Sequence, residues 1–189
     1  MREETYDGVL QGETSYEYDE LLRLISTKEN RNGAEYRNIT YCYDDSGNRI
    51  KEESTENGVK TTKNYTYGEG NLLLGYTVTT GDKKTDEVKY EYDKNGNLVK
   101  EYDLLKNGEE CSDSDKPKTL NKYNALNQLV STETSDFTVT NECNSEGLRI
   151  SKDVKTKGID TSVKTNYTYE YDQVIFETNS LRGNIKSNG

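Results

Sequence analysis

The chain has 189 residues, 30% of them hydrophobic and 32% charged, and carries a net charge of −10. That acidic balance argues against binding a phosphate backbone, which needs clustered Lys and Arg, and no stretch approaches the apolar length of a membrane span. There is no histidine, which removes His-based acid–base catalysis, Ser-His-Asp triads, Cys–His nucleophiles and imidazole metal ligation.

An apolar share this far below the roughly 45–50% of ordinary globular domains first raises the question of disorder. Sixteen tyrosines, many Thr, Val and Ile, a single proline and regularly placed turns answer it. Such a composition predicts a wet sheet protein whose apolar area comes mostly from tyrosine rings.

Tyr6-Asp7-Gly8 reads as a worn remnant of a unit that becomes clear at Tyr16, in YEYDELLRLISTK. YCYDDSGNRIKEE follows from Tyr41, and YTYGEGNLLLGY, one residue shorter, from Tyr65. The best copy is YEYDKNGNLVKEY, from Tyr90 to Tyr102. NKYNALNQLVSTE from Asn121 and NECNSEGLRISKD from Asn141 are weaker, and YTYEYDQVIFET from Tyr167 closes the series. The Asp-equivalent positions are Asp19, Asp44, Gly68, Asp93, Asn124, Asn144 and Asp172, irregularly spaced as in an array with variable loops.

In the best copy, Tyr90 and Tyr92 alternate with Glu91 and Asp93, the period of a strand with one apolar face. Asp93-Lys94-Asn95-Gly96 then breaks the alternation. Asp at the first turn position accepts backbone N–H groups and Gly at the last takes φ > 0, which suits a type I turn closed by a glycine bulge. Pairing of Asp93 with Asn97 then sets Tyr92 opposite Leu98 and Tyr90 opposite Lys100.

Midway between most of these hairpins lies a second turn, at Asn32-Gly33, Asn57-Gly58, Gly81-Asp82, Asn107-Gly108 and Lys157-Gly158, with Ser135-Asp136 a poorer case. Each repeat therefore supplies two strands of about 8–10 residues. The fold class is all-β, an antiparallel meander of repeated β-hairpins in a single ribbon-like sheet; no 3.6-residue apolar stripe exists for crossover helices. Glu109 to Thr119 reads as the longest loop. The array of about seven repeats, first and last imperfect, is expected over 1–178, with 179–189 a polar, frayed tail.

Leu24, Leu72, Leu98 and Leu129 are expected to face the second Tyr of their hairpins, and Arg49 and Arg149 to take that place in two others. Arg49 over Tyr43 would make a cation–π contact on a partly wet face. Arg149 lies opposite Cys143, where no ring remains.

The repeated strings resemble YD repeats, the tyrosine-aspartate repeats of the RHS family, related to those of teneurins and of the shell-forming subunits of insecticidal toxin complexes. The pattern Tyr-x-Tyr-Asp-x-x-Gly-Asn/Arg-Arg/Leu-Leu/Ile is met at Tyr41–Ile50, and at Tyr90–Val99 with Val closing it. Gly68 departs from it at the Asp, Asn121 and Asn141 at the first Tyr, and Cys143 at the second. Glu146-Gly147-Leu148-Arg149 and the Tyr169-to-Glu177 run resemble the stretch before the core of many bacterial members. The resemblance implies a fragment of a larger protein, an arc of a curved hairpin ribbon that spirals into a shell. It also implies an extracellular or cell-surface location and partners in the neighbouring repeats and domains of the parent chain, a toxin-like domain among them. Self-cleavage in the family belongs to a downstream core, and no protease residue carries over.

No residue is singled out as catalytic, cofactor-binding or metal-binding, and neither enzyme activity nor a cofactor is expected. The Asp44–Asn48 and Asp93–Asn97 loops lack the spaced ligands and closing Glu of an EF-hand and read as turns. Rows of Tyr beside Asp and Asn leave carbohydrate as an alternative ligand, whereas nucleic acid and membrane insertion are not expected; plain sheet packing is the simpler use of the rings. Asn38, Asn64 and Asn166 begin Asn-x-Thr sequons, frequent by chance in such a chain. Cys42 and Cys143 read as small apolar strand residues, and with Cys111 they form neither a disulfide framework nor a zinc spacing.

Overall fold

In a computed structural model, the backbone is described for residues 2–6, 9–180 and 183–186, and side chains for 12–180. These residues form antiparallel β-strands joined by turns, with one single-turn 3-10 segment at Glu69–Asn71 and no α-helix. The expected all-β antiparallel meander is what the chain adopts.

The strands fall into two compact units, Met1–Lys89 with Asp103–Ser114, and Tyr90–Tyr102 with Asp115–Gly189. The first contains β1 (Arg2–Tyr6), β2 (Val9–Tyr18), β3 (Leu24–Arg31), β4 (Ala34–Tyr43), β5 (Arg49–Glu56), β6 (Val59–Tyr67), β7 (Leu73–Thr80), most of β8 (Lys83–Tyr92), the end of β9 (Leu98–Lys106) and β10 (Glu109–Glu110). From β1 to β8 each strand pairs antiparallel with the next. The β9–β10 pairing, Leu105 to Glu110 and Lys106 to Glu109, carries a hairpin two residues into the expected long loop.

The second unit holds the Asp93–Asn97 turn, the start of β9, and β11 (Thr119–Tyr123), β12 (Leu129–Glu133), β13 (Phe137–Cys143), β14 (Arg149–Thr156), β15 (Ser162–Glu170), β16 (Gln173–Asn179) and β17 (Gly183–Lys186). β9 pairs with β11, and from β11 onward each strand again pairs with its successor. Within the segment expected to fray, Gly183–Lys186 pairs with β16; 181–182 and 187–189 lie outside the described residues, as do Asp7 and Gly8 of the first remnant.

Both turn types form as their residues predict. The Asp93 N–H donates to the Asn97 carbonyl and the Gly96 N–H to the Asp93 carbonyl, with Gly96 at φ 81°. The same pair of bonds closes the turns at Asp19, Asp44, Asn124 and Asn144. At the opposite hairpin ends, Asn32-Gly33, Asn57-Gly58 and Asn107-Gly108 all have positive φ at both positions, the backbone of a type I′ turn.

Two turns differ from expectation. The Gly68 loop is not shortened: the Gly68 N–H donates to the Leu72 carbonyl, the same spacing as Asp44 to Asn48. Asn71, at φ 59°, takes the left-handed place of Gly47, so Leu73 rather than Leu72 faces Tyr67. At the last hairpin Glu170 pairs with Gln173, which makes Tyr171 and Asp172 the two central residues of a tighter turn. Asp172 is therefore not the counterpart of Asp93; the Tyr171-Asp172 pair that makes this turn imitates the repeat.

Burial is shallow. Among the described residues the buried apolar side chains are Val88 in the first unit and Tyr102 in the second, and none is fully enclosed. Side chains gain contact from neighbouring strands rather than from a second layer, which favours broad rings over branched aliphatics. Close backbone approach marks one place: a Cβ on Gly75 would lie 2.3 Å from the Val88 carbonyl oxygen.

Candidate functional site

The feature that recurs through both units is the seam between one hairpin and the next, and it begins with a bulge. Tyr18 faces Leu24 but Glu17 faces Ser26, so Ile25 has no opposite residue. The same skip leaves out Ile50, Leu74, Val130, Ile150 and Ile175. In every case the residue passed over follows the one facing the second aromatic position. Two residues on one strand against one on its partner is a β-bulge, which bends the strand and interrupts the ladder.

The register of these hairpins departs from a straight ladder. A straight ladder predicts that the first Tyr faces the residue two beyond the partner of the second, whereas Tyr43 faces Arg49 and Tyr41 faces Glu52, three beyond. An aliphatic residue in a strand carries no mark of a bulge. Recurrence of an aliphatic residue at one position of the repeat was the available signal.

The bulge has a consequence for the seam. Ladders between successive hairpins stop short of it: β3–β4 ends at Ser26 with Thr40, β5–β6 at Lys51 with Asn64, and β14–β15 at Ser151 with Asn166. Leu24, Arg49 and Arg149 therefore lie beyond the ends of the ladders to the next hairpin. The carbonyl of each is met by a hydroxyl from the following hairpin: Tyr43 donates to Leu24 at 2.7 Å, Tyr67 to Arg49 at 3.2 Å and Tyr169 to Arg149 at 2.9 Å.

Where the first Tyr is replaced, Asn makes the same bond. The Asn121 side-chain amide donates to the Leu98 carbonyl and that of Asn141 to Leu129, both at 3.1 Å. Their ladders end at the equivalent places, Lys100 with Leu120 and Ser131 with Thr140. Asn is shorter than Tyr and acts from two residues nearer the ladder. The departures from the repeat at Asn121 and Asn141 thus keep its chemistry.

The turn carboxylates are spent locally. Asp93 accepts the N–H groups of Asn95 and Asn97 on Oδ1 and the Asn97 amide on Oδ2, and Asp44 takes the backbone N–H and side-chain amide of Asn48. Bonds from the Asn48 amide hold Asp44 below the ordinary aspartate value, bonds from Asn97 do so for Asp93, and the Arg23 N–H leads for Asp19. Asn amides join neighbouring turns within each unit, Asn48 to Asn71 and both Asn95 and Asn97 to Asn127.

Cations cover the rings. Arg23 sits 4.8 Å over Tyr43, bonds Asp19 at 2.7 Å and reaches the Asp44 carbonyl. Contrary to expectation, Arg49 does not lie over the Tyr43 it faces. Its guanidinium lies between Tyr41 and Tyr65, at 5.4 and 5.1 Å, and bonds the Tyr65 hydroxyl and Glu52. Tyr43 is already occupied by Arg23, and Arg49 is long enough to reach the next hairpin. Lys63 continues the row from Tyr65 to Tyr76. Arg149, which has no ring opposite, finds one at Tyr167, 5.1 Å away.

Cys42 is exposed rather than a packed filler, while Cys111 and Cys143 are half-buried, and all three are free thiols. A shallow hollow in the first unit is lined by Leu74, Tyr76, Val88 and Leu104, with Glu87 beside it as a lone acid.

No family model matches the chain, and no curated protein matches it. Solved structures do. The crystal structure of TcdB2-TccC3-TEV matches 92% of this chain at 18% identity with a TM-score of 0.65. A Photorhabdus luminescens Tc holotoxin pore with a mutation in TccC3 matches 92% of it at 16% identity, with a TM-score of 0.43. The chain spans 10% of the first of these chains and 11% of the second. At such identity the likeness to TcdB2-TccC3-TEV is one of fold.

Proposed function

We propose that this chain is a non-catalytic scaffold segment, a YD-repeat array over 1–178 with a short tail at 179–189, belonging to a larger toxin-associated protein. The observation that carries the reading is the seam: a hydroxyl or amide of one hairpin on the bulge carbonyl of the one before. A device that fastens each repeat to its predecessor suits a chain extended repeat by repeat into a wall. The fold shared with TcdB2-TccC3-TEV supports that reading.

In this role the array is part of a secreted or surface protein of the RHS type and encloses or presents another domain of its parent. Its partners are adjoining repeats and that domain. A carbohydrate-binding role draws no support, because the rings of Tyr36, Tyr41, Tyr43, Tyr65, Tyr76 and Tyr167 carry cations from the chain itself.

Deleting the array from its parent protein and comparing protease digestion with the intact parent tests the role. Faster digestion of the remaining domains is expected. An unchanged digestion pattern would contradict it, as would turnover of a substrate by the array that one carboxylate substitution abolishes.

A further inference from the structure

Asn-Gly is the dipeptide most prone to lose its side-chain amide, because glycine leaves the following backbone nitrogen unhindered. Among the described residues it occurs at Asn32, Asn57, Asn95 and Asn107, all exposed. The four are not equivalent. The Gly96 N–H is held by the Asp93 carbonyl, and the Asn95 amide by Asn127. The Gly108 N–H is held by the Thr85 carbonyl at 2.7 Å. Among the described residues nothing accepts the N–H of Gly33 or Gly58, and no bond holds the side-chain amide of Asn32 or Asn57, although the Asn57 backbone N–H donates to the Tyr36 carbonyl at 3.4 Å.

We propose that Asn32 and Asn57 are sites of spontaneous modification, converting to aspartate and isoaspartate in the folded chain while Asn95 and Asn107 are protected. The deprotonated Gly33 or Gly58 nitrogen attacks the asparagine Cγ, the Cγ–Nδ2 bond breaks and ammonia leaves. Water then opens the cyclic imide at either carbonyl, giving aspartate or isoaspartate. Asn32, Asn57 and Asn107 share the same left-handed turn, at φ 51°, 49° and 54°, so what separates the first two is the unbonded N–H of Gly33 and Gly58, free to be deprotonated and to attack. Each event adds a negative charge to an already acidic chain. The isoaspartyl product also inserts a backbone methylene into a two-residue turn that sets strand register.

The test is peptide mass spectrometry of the whole chain after incubation in mildly alkaline buffer, with heavy-oxygen water to mark imide opening. A parallel sample is unfolded in guanidinium. Conversion at Asn32 and Asn57 is expected to run several-fold ahead of Asn95 and Asn107 in the folded chain, and the four to draw together when it is unfolded. Equal conversion at all four sites in the folded chain would overturn the proposal. So would Asn95 or Asn107 leading, or conversion at Asn32 and Asn57 only after unfolding.

Discussion

The Tyr43 hydroxyl donates a 2.7 Å hydrogen bond to the Leu24 carbonyl, a group beside the bulge at Ile25 that lies beyond the end of the ladder joining its hairpin to the next. Tyr41, two residues earlier, lends its ring to Arg49. The two tyrosines of one repeat thus do different things, and the difference is measurable. Tyr43→Phe takes this bond from a half-buried carbonyl and should lower unfolding stability by about 1 kcal/mol. Tyr41→Phe keeps the ring and should stay within about 0.5 kcal/mol of the wild type. Urea titration of both variants separates them.

Arg49 joins two hairpins through the rings of Tyr41 and Tyr65. Arg49→Met keeps much of the stem but removes the cation, and should cost about 0.5–1 kcal/mol for a partly exposed cation–π contact. Arg49→Lys should recover only part of this, since an ammonium cannot lie flat between two rings. Equal stability of all three proteins would remove Arg49 from the seam.

The turn aspartates predict a pH dependence. Asp19, Asp44 and Asp93 titrate below the ordinary value of 3.8 in the folded chain. A carboxylate lowered on folding stabilises the native state fully above its unfolded value, and that stabilisation is lost as pH falls through the lowered native value. Denaturation midpoints should therefore drop on acidification between about pH 5 and pH 2. In Asp93→Asn the drop should be shallower, because asparagine keeps the two backbone N–H bonds on its one oxygen without titrating, as Asn124 does with Leu126 and Gln128, and gives up only the bond from the Asn97 side chain. Superimposable pH profiles would contradict the assignment.

Gly96 occupies the left-handed position of its turn at φ 81°. Gly96→Val should destabilise by about 1 kcal/mol or more, because a β-branched residue resists that region. An unchanged melting temperature would contradict the turn.

Turn chemistry was the most legible part of the molecule. Asp93 and Gly96 announce their bonds by residue type, and Asn32-Gly33 and Asn57-Gly58 announce the opposite turns. Identity blurred where a neighbour imitated the signal: Gly70 resembles the closing glycine while Asn71 does its work, and Asp172 resembles Asp93 while lying inside a tighter turn. The seam was illegible because its parts look ordinary. Ile25 and Ile50 read as strand aliphatics in any register, and a hydroxyl's target on another hairpin leaves no trace in local periodicity. Asn121 and Asn141 look like decay of the repeat, yet they bond the same class of carbonyl that Tyr43 does.

The most direct measurement is the carbonyl carbon shift of Leu24, read by nuclear magnetic resonance in the wild type and in Tyr43→Phe. The Leu24 carbonyl should move upfield on loss of the hydroxyl, while the carbonyls of Ser26 and Lys28 on the same strand stay in place. A Leu24 carbonyl that does not respond would mean that the hairpins are not fastened through their bulges.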